Sequence, residues 1–293
     1  MLLRVRHLTE YIFSRPVFLE PHTIRLTPRQ DRRQRLRSFE LKLDPAPAGR
    51  WEGVDAEGNP FVQAWFDGLA EKLVVRSNVE AETLLENPFG FLLDTAACAL
   101  PPELGPGERA ALAPSLDCAL LAGGRAEALA LDLAGRVSPG GAGEGRCGAM
   151  DFLLELNGWI FANVRKAVRL ESGILDPEAV CAKGEGACRD SAVLFVQCCR
   201  RVGIPARFVS GYHLPDADSH DESDAHDLHA WAEAWLPGGG WMGLDPTHGL
   251  VVADRHLVLA ASHDPALAAP LQGSFRGTGA RGTLRHEVGV ERG

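Results

Sequence analysis

Between positions 229 and 235 every second residue is alanine, in the order His229-Ala-Trp231-Ala-Glu233-Ala-Trp235. Side chains alternate across a β-strand, so such a strand carries a histidine, two tryptophans and a glutamate on one face and bare methyl groups on the other. A face that small allows close packing of a helix, and the sequence offers one just upstream. Gly184-Glu-Gly186 leads into Cys188, a mostly apolar run continues to about Arg201, and Gly203-Ile-Pro205 stops it. Strand-like runs follow at 206–214, 228–236 and 241–245, the last two separated by Pro237-Gly-Gly-Gly240. One helix on an antiparallel sheet is an α+β arrangement.

With 293 residues the chain has room for a second domain. Residues 1–98 read as an N-terminal antiparallel β-rich domain. Short strands begin at Leu3, Thr23, Phe39 and Leu73, and the cluster Asp55-Ala-Glu-Gly58-Asn59-Pro60 makes a turn between two of them. Six arginines between Arg25 and Arg37 are expected to be a solvated strand end with its loop. Residues 99–148 look like a connection with a helix or two, closed by the glycine-rich stretch 138–145. A helix-like spacing over 149–165 opens the second domain, 149–272, and residues 273–293 are expected to be a poorly ordered tail.

Thirty Lys and Arg stand against 39 Asp and Glu, a net charge of −9, which argues against a nucleic-acid partner. No apolar run reaches the length of a membrane span, and MLLRVRHLTEYIF carries no apolar stretch of signal-peptide length. The seven cysteines, at 98, 118, 147, 181, 188, 198 and 199, are therefore expected as free thiols in the cytoplasm.

Chemistry concentrates in three residues. Cys188 opens a helix, where unpaired N–H groups and the helix dipole stabilise a thiolate. A thiol nucleophile needs an imidazole base, and the imidazole needs an orienting acceptor. His229 sits in the alternating strand, and Asp245 ends the next strand of the expected hairpin, where adjacent strands can bring its carboxylate to the ring. Cys198 and Cys199 fall inside the apolar helix and read as core residues.

Four blocks then resemble the transglutaminase-like superfamily core: Gly186-Ala-Cys188-Arg-Asp-Ser191, the stretch from Gly203 to Tyr212, Leu228-His-Ala-Trp231, and the stretch from Gly240 to Gly249. The segment Leu3 to Tyr11 with Pro16-Val, and the turn from Asp55 to Asn59, resemble the β-rich region that precedes this core in bacterial members. The resemblance implies a papain-like fold with Cys188 as nucleophile, His229 as general base and acid, and Asp245 as orienting acid. It implies acyl transfer on the amide bond of a peptide or protein, by hydrolysis (peptidase or amidase) or by transfer to an amine, without cofactor or metal. The Cys188 N–H is the expected oxyanion donor, with Trp159 and Asn163 as candidates for a second. Gly186, Trp231 and Tyr212 are the residues expected along the substrate. An alternative is a non-catalytic peptide-binding module that keeps the cleft. A third reading is a metal-dependent hydrolase using the acidic stretch 216–227 with His220, His226 and His248; that stretch otherwise reads as a solvated loop at the cleft rim.

Overall fold

The computed structural model describes all residues except 119–120, 122, 138–147, 170, 172 and 216–226. The glycine-rich stretch 138–145, Cys147 and almost all of the acidic stretch lie outside the described residues.

The N-terminal half builds two antiparallel sheets. Strands β1 (Leu2–Leu19), β3 (Gln34–Asp44) and β6 (Leu69–Thr83) belong to the first, with β1 pairing β6 and β6 pairing β3. Strands β2 (His22–Ile24), β4 (Gly49–Val54) and β5 (Pro60–Trp65) belong to the second. The turn from Asp55 to Asn59 joins β4 to β5 as expected, and Asn59 is fully buried. Its side chain exchanges two hydrogen bonds with the backbone of Ala261, at 2.8 and 3.0 Å.

The connecting region holds α1 (Pro106–Ala111) and α2 (Arg125–Val137). Helix α2 is part of the main hydrophobic core through Ala126, Leu129, Ala130, Leu133 and Val137, so it is more than a linker. After α3 (Gly148–Asn163) come β7 (Arg165–Lys166), α4 (Pro177–Lys183) and β8 (Glu185–Gly186); β7 and β8 pair in parallel. Gly184 ends α4 in the left-handed conformation, φ +63°, which lets the chain turn directly into β8. Helix α5 (Cys188–Arg201) follows, buried from Asp190 to Arg200 without a solvent face. Its last turn is pinned by Arg200, which donates to the carbonyls of Ala206, Asp117 and His263 at 2.7–2.9 Å.

The sheet beside α5 runs β12 (Leu250–Val251), β11 (Gly240–Asp245), β10 (His229–Leu236), β9 (Ala206–His213) and β13 (His256–Ser262). The alanine face of β10 meets the helices: Ala232 and Ala234 join the core of α2, α3 and α5, and Ala230 packs with Ala192, Val193 and Cys188. Gly211 in β9 shows how tight the other face is. A Cβ there would stand 2.2 Å from the Leu257 carbonyl oxygen and 2.5 Å from the Trp231 ring. Gly211→Ala is therefore expected to destabilise the fold by about 3 kcal/mol, read from urea unfolding.

Two sequence expectations are corrected. Residues 273–293 are not a loose tail. After β14 (Leu271–Gln272) and β15 (Phe275–Arg276), strand β16 (Gly282–Arg292) pairs with β1 from Leu3↔Arg292 to Phe13↔Gly282. Leu284, His286, Val288 and Val290 alternate with polar or small residues, a period-two signal that the arginines and glycines around them obscured. The arginine run is not uniformly solvated either. Arg25 is buried and donates to Gln272, Arg29 donates to Asn59, and Arg33 pairs with Glu233; Arg32, Arg35 and Arg37 are the exposed members. Arg25 and Arg33 tie the N-terminal sheets to the second half, whose Tyr212, Leu257 and Leu259 share one core with β1 and β6.

Candidate active site

Cys188 is the first residue of α5, and the start of that helix is held by Asp190 two residues on. The fully buried Asp190 carboxylate accepts the N–H of Ala187 at 2.8 Å, the N–H of Leu175 at 2.8 Å and the guanidinium of Arg169 at 2.6 Å. The thiol is thereby fixed relative to the loop before α4 and to the end of β8. Cys188 is partly exposed, unlike Cys198 and Cys199, whose thiols burial pushes well above the usual range.

His229, at the start of β10, lines the same cleft as the Cys188 thiol and interacts with it, and donates from Nε2 to Oδ2 of Asp245 at 2.7 Å. With Nε2 engaged, Nδ1 is the ring atom left for the sulfur. Asp245 reaches the ring because β11 pairs with β10 in the register Ala232↔Leu244, which carries the end of β11 to the beginning of β10. Burial alone would raise the thiol pKa, but the His229 hydrogen bond and charge, with a backbone bond at Ala230, outweigh it and lower it. Burial works against the charged form of His229 too; Asp245 and the thiolate reverse that and raise it. For Asp245 the imidazoles outweigh burial and hold the carboxyl well below the ordinary range. The two shifts run in opposite directions, and each favours the charged form of its group.

Sequence reasoning missed how many imidazoles surround this carboxylate. His248 Nδ1 and His256 Nε2 also donate to Asp245 Oδ2, at 2.8 and 3.1 Å, and Oδ1 accepts the N–H groups of Thr247 and His248. His213 stacks within 4.6–5.5 Å of His256, His248 and His229, ring centre to ring centre. Its two buried ring nitrogens have no hydrogen-bond partner, and burial drives its pKa down to about 2, so it stays neutral among the others. The signal was present as density: seven of the ten histidines lie between 213 and 263. Nε2 of His229, Oδ2 of Asp245 and Nδ1 of His248 lie within 4.8 Å of one another, a spacing that a divalent cation could bridge. Hydrogen bonding to one carboxylate oxygen accounts for the same convergence. His220 and His226 lie outside the described residues.

The expected accessory residues are placed differently. Trp159 packs on the main core, and Asn163 donates back to the Trp159 carbonyl at 2.8 Å on its own helix; neither is among the residues that line the cleft with Cys188. Trp231 and Tyr212 are fully buried, because the outer face of this sheet is covered by the N-terminal half. Gly186 is buried with Asp190 against it; an added Cβ would meet the Asp190 Cβ at 3.0 Å. The space in front of the thiol is instead a cleft of about 650 Å³ between residues 166–169, 171, 173 and 187–189 on one side and the face of β16, β1 and β6 on the other.

Comparison with known proteins fits this layout. The model of the bacterial transglutaminase-like N-terminal region matches residues 3–82, and that of the transglutaminase-like superfamily matches residues 144–246. An uncharacterized protein of Mycobacterium tuberculosis is 30% identical over 288 residues, covering 92% of this chain and 86% of that one. A protein-glutamine gamma-glutamyltransferase of Pseudomonas aeruginosa is 39% identical over 66 residues, 22% of this chain and 10% of its own length. Among solved structures, a candidate cysteine protease from Cytophaga hutchinsonii shares the fold with a TM-score of 0.64 at 19% identity, over 100% of this chain and 93% of that one.

Proposed function

Since this chain belongs to the transglutaminase-like superfamily and carries the bacterial transglutaminase-like N-terminal region, we propose that it breaks amide bonds of a peptide or protein by acyl transfer through Cys188, His229 and Asp245. The observation that carries this reading is that Cys188, at a helix start, and His229, bonded to the buried Asp245, line one open cleft.

In the proposed mechanism the Cys188 thiolate attacks the carbonyl carbon, forming an S–C bond and a tetrahedral oxyanion. The backbone N–H of Cys188, one of the unpaired donors at the start of α5, faces that oxygen. His229 gives its proton to the amide nitrogen as the C–N bond breaks, leaving a thioester on Cys188 and a neutral amine. Water, deprotonated by the now neutral His229, attacks the thioester; the C–S bond breaks and the acid leaves. An amine that takes the place of water would give a new amide instead, and the matched stretch of the gamma-glutamyltransferase favours keeping this second outcome in view.

The test is the rate of Cys188 alkylation by iodoacetamide as a function of pH, in the wild type and in His229→Ala. The wild type should show an apparent pKa well below the free-thiol value of about 8.5, and the variant should return to it. An ordinary thiol pKa in both proteins would remove the ion pair and favour a binding module with an unused cleft. Product analysis with added primary amine then separates hydrolysis from transfer.

A further inference from the structure

The wall of the cleft opposite Cys188 comes from β1 and β16, two strands at the extreme ends of the chain. Their register sets Tyr11 opposite Leu284, Thr9 opposite His286 and His7 opposite Val288. Alternation puts all six side chains on one face, and all six line the cleft. The wall is also registered against the base. The His286 ring contacts the carboxylate of Asp227, two residues before His229.

The polar groups around the cleft are mostly engaged within the protein. His7 bonds Tyr212 and Thr9 through its two ring nitrogens, at 3.1 and 2.7 Å. Arg169 is held by Asp190, and Arg189 donates to the carbonyls of Gly173, Arg169 and Glu171. Lys166 and Glu171 also line the cleft, one charge of each sign. Apolar side chains stand open on both walls: Leu284 is 48% exposed on one, Val168 is 65% exposed on the other, and the half-buried Tyr11 ring lies beside Leu284.

We infer that β16 and the facing residues of β1 form the specificity wall of the Cys188 cleft, and that it selects a peptide with a bulky apolar side chain beside the reacting amide. This rests on the acyl-transfer reading above. An apolar side chain buried between Leu284, Tyr11 and Val168 leaves water without stranding a charge. An Asp or Lys set among those three side chains loses hydration and meets apolar surface.

The experiment compares two kinds of electrophile on the full chain. Iodoacetamide needs only a reactive thiol; peptidyl chloromethyl ketones with Phe, Leu, Asp or Lys beside the reactive carbon also need the wall. The wild type should react at least tenfold faster with the Phe and Leu compounds than with the Asp and Lys compounds. In Leu284→Asp the ratio of the Phe-ketone rate to the iodoacetamide rate should fall about tenfold or more. Equal rates across the four ketones, or an unaltered ratio in Leu284→Asp, would overturn the inference. A wild type inert to iodoacetamide would instead sink the thiol chemistry. The wall is then read separately, from fluorescein-labelled peptides of the same four kinds binding to Cys188→Ala, where loss of the Phe and Leu preference overturns it.

Discussion

Asp245→Asn is expected to lower amide turnover by about 10³-fold or more, and to return the alkylation pKa of Cys188 toward that of a free thiol. The reason lies in the tautomers. In the wild type Oδ2 accepts ring N–H groups from His229, His248 and His256. An amide group in that place offers N–H to the rings, so His229 must present Nε2 as an acceptor and keep its proton on Nδ1, against the thiol. A ring in that state can neither take the thiol proton nor pair with a thiolate as an imidazolium.

Stability should fall as well, by about 2 kcal/mol at neutral pH, since charge-assisted bonds become neutral ones. The sign of its pH dependence follows from the shift of Asp245. The folded carboxyl titrates well below its unfolded value of about 3.9, so its contribution is present above that value and is lost as pH falls through the folded pKa. Wild type and Asp245→Asn should therefore differ in urea midpoint at pH 7 and converge in strongly acid solution. An Asn variant with wild-type turnover would remove Asp245 from the proposed chemistry.

The second large effect is structural. Asp190→Ala is expected to cost about 3–5 kcal/mol, on the order of 10 °C in melting temperature, because it strands a mostly buried guanidinium and two backbone N–H groups together. The same change should slow Cys188 alkylation, since Asp190 is what holds Ala187 and the loop before α4 against the start of α5. Asp190→Asn keeps an acceptor for one of the N–H groups and should recover part of the stability. Calorimetry and alkylation rates on the three proteins check this; a loss below about 1 kcal/mol in Asp190→Ala would show that the loop is held by other contacts.

Much of the fold around the site was legible because it is written locally. The apolar run after Cys188 and the stop at Gly203 mark α5 to within the last turn, and the alanine alternation marks β10 and the face it turns to the helix. The arginines at 25, 29 and 33 were not legible in the same way. Their partners, Gln272, Asn59 and Glu233, are 247, 30 and 200 residues away, and an arginine that faces a polar side chain in another element reads in sequence like one that faces water. Leu284 and His286 were hidden for a related reason: an edge strand half open to a cleft carries charged residues on its other face, and the alternation is diluted.

The sequence by itself determined the elements and the order of the reactive side chains, a cysteine at a helix start followed by a histidine and an aspartate on neighbouring strands. Periods of 3.6 and 2 express themselves within about ten residues and need no knowledge of the rest of the chain. Only the tertiary structure decided what surrounds those side chains. His213 and His256 meet because β9 and β13 pair in a register that sets them opposite each other, and His248 joins them through the turn after β11. The wall facing Cys188 exists because residues 2–13 and 282–292 pair across almost the whole chain. Register and long-range pairing are fixed by the burial of whole faces at once, and no local window of sequence contains that sum.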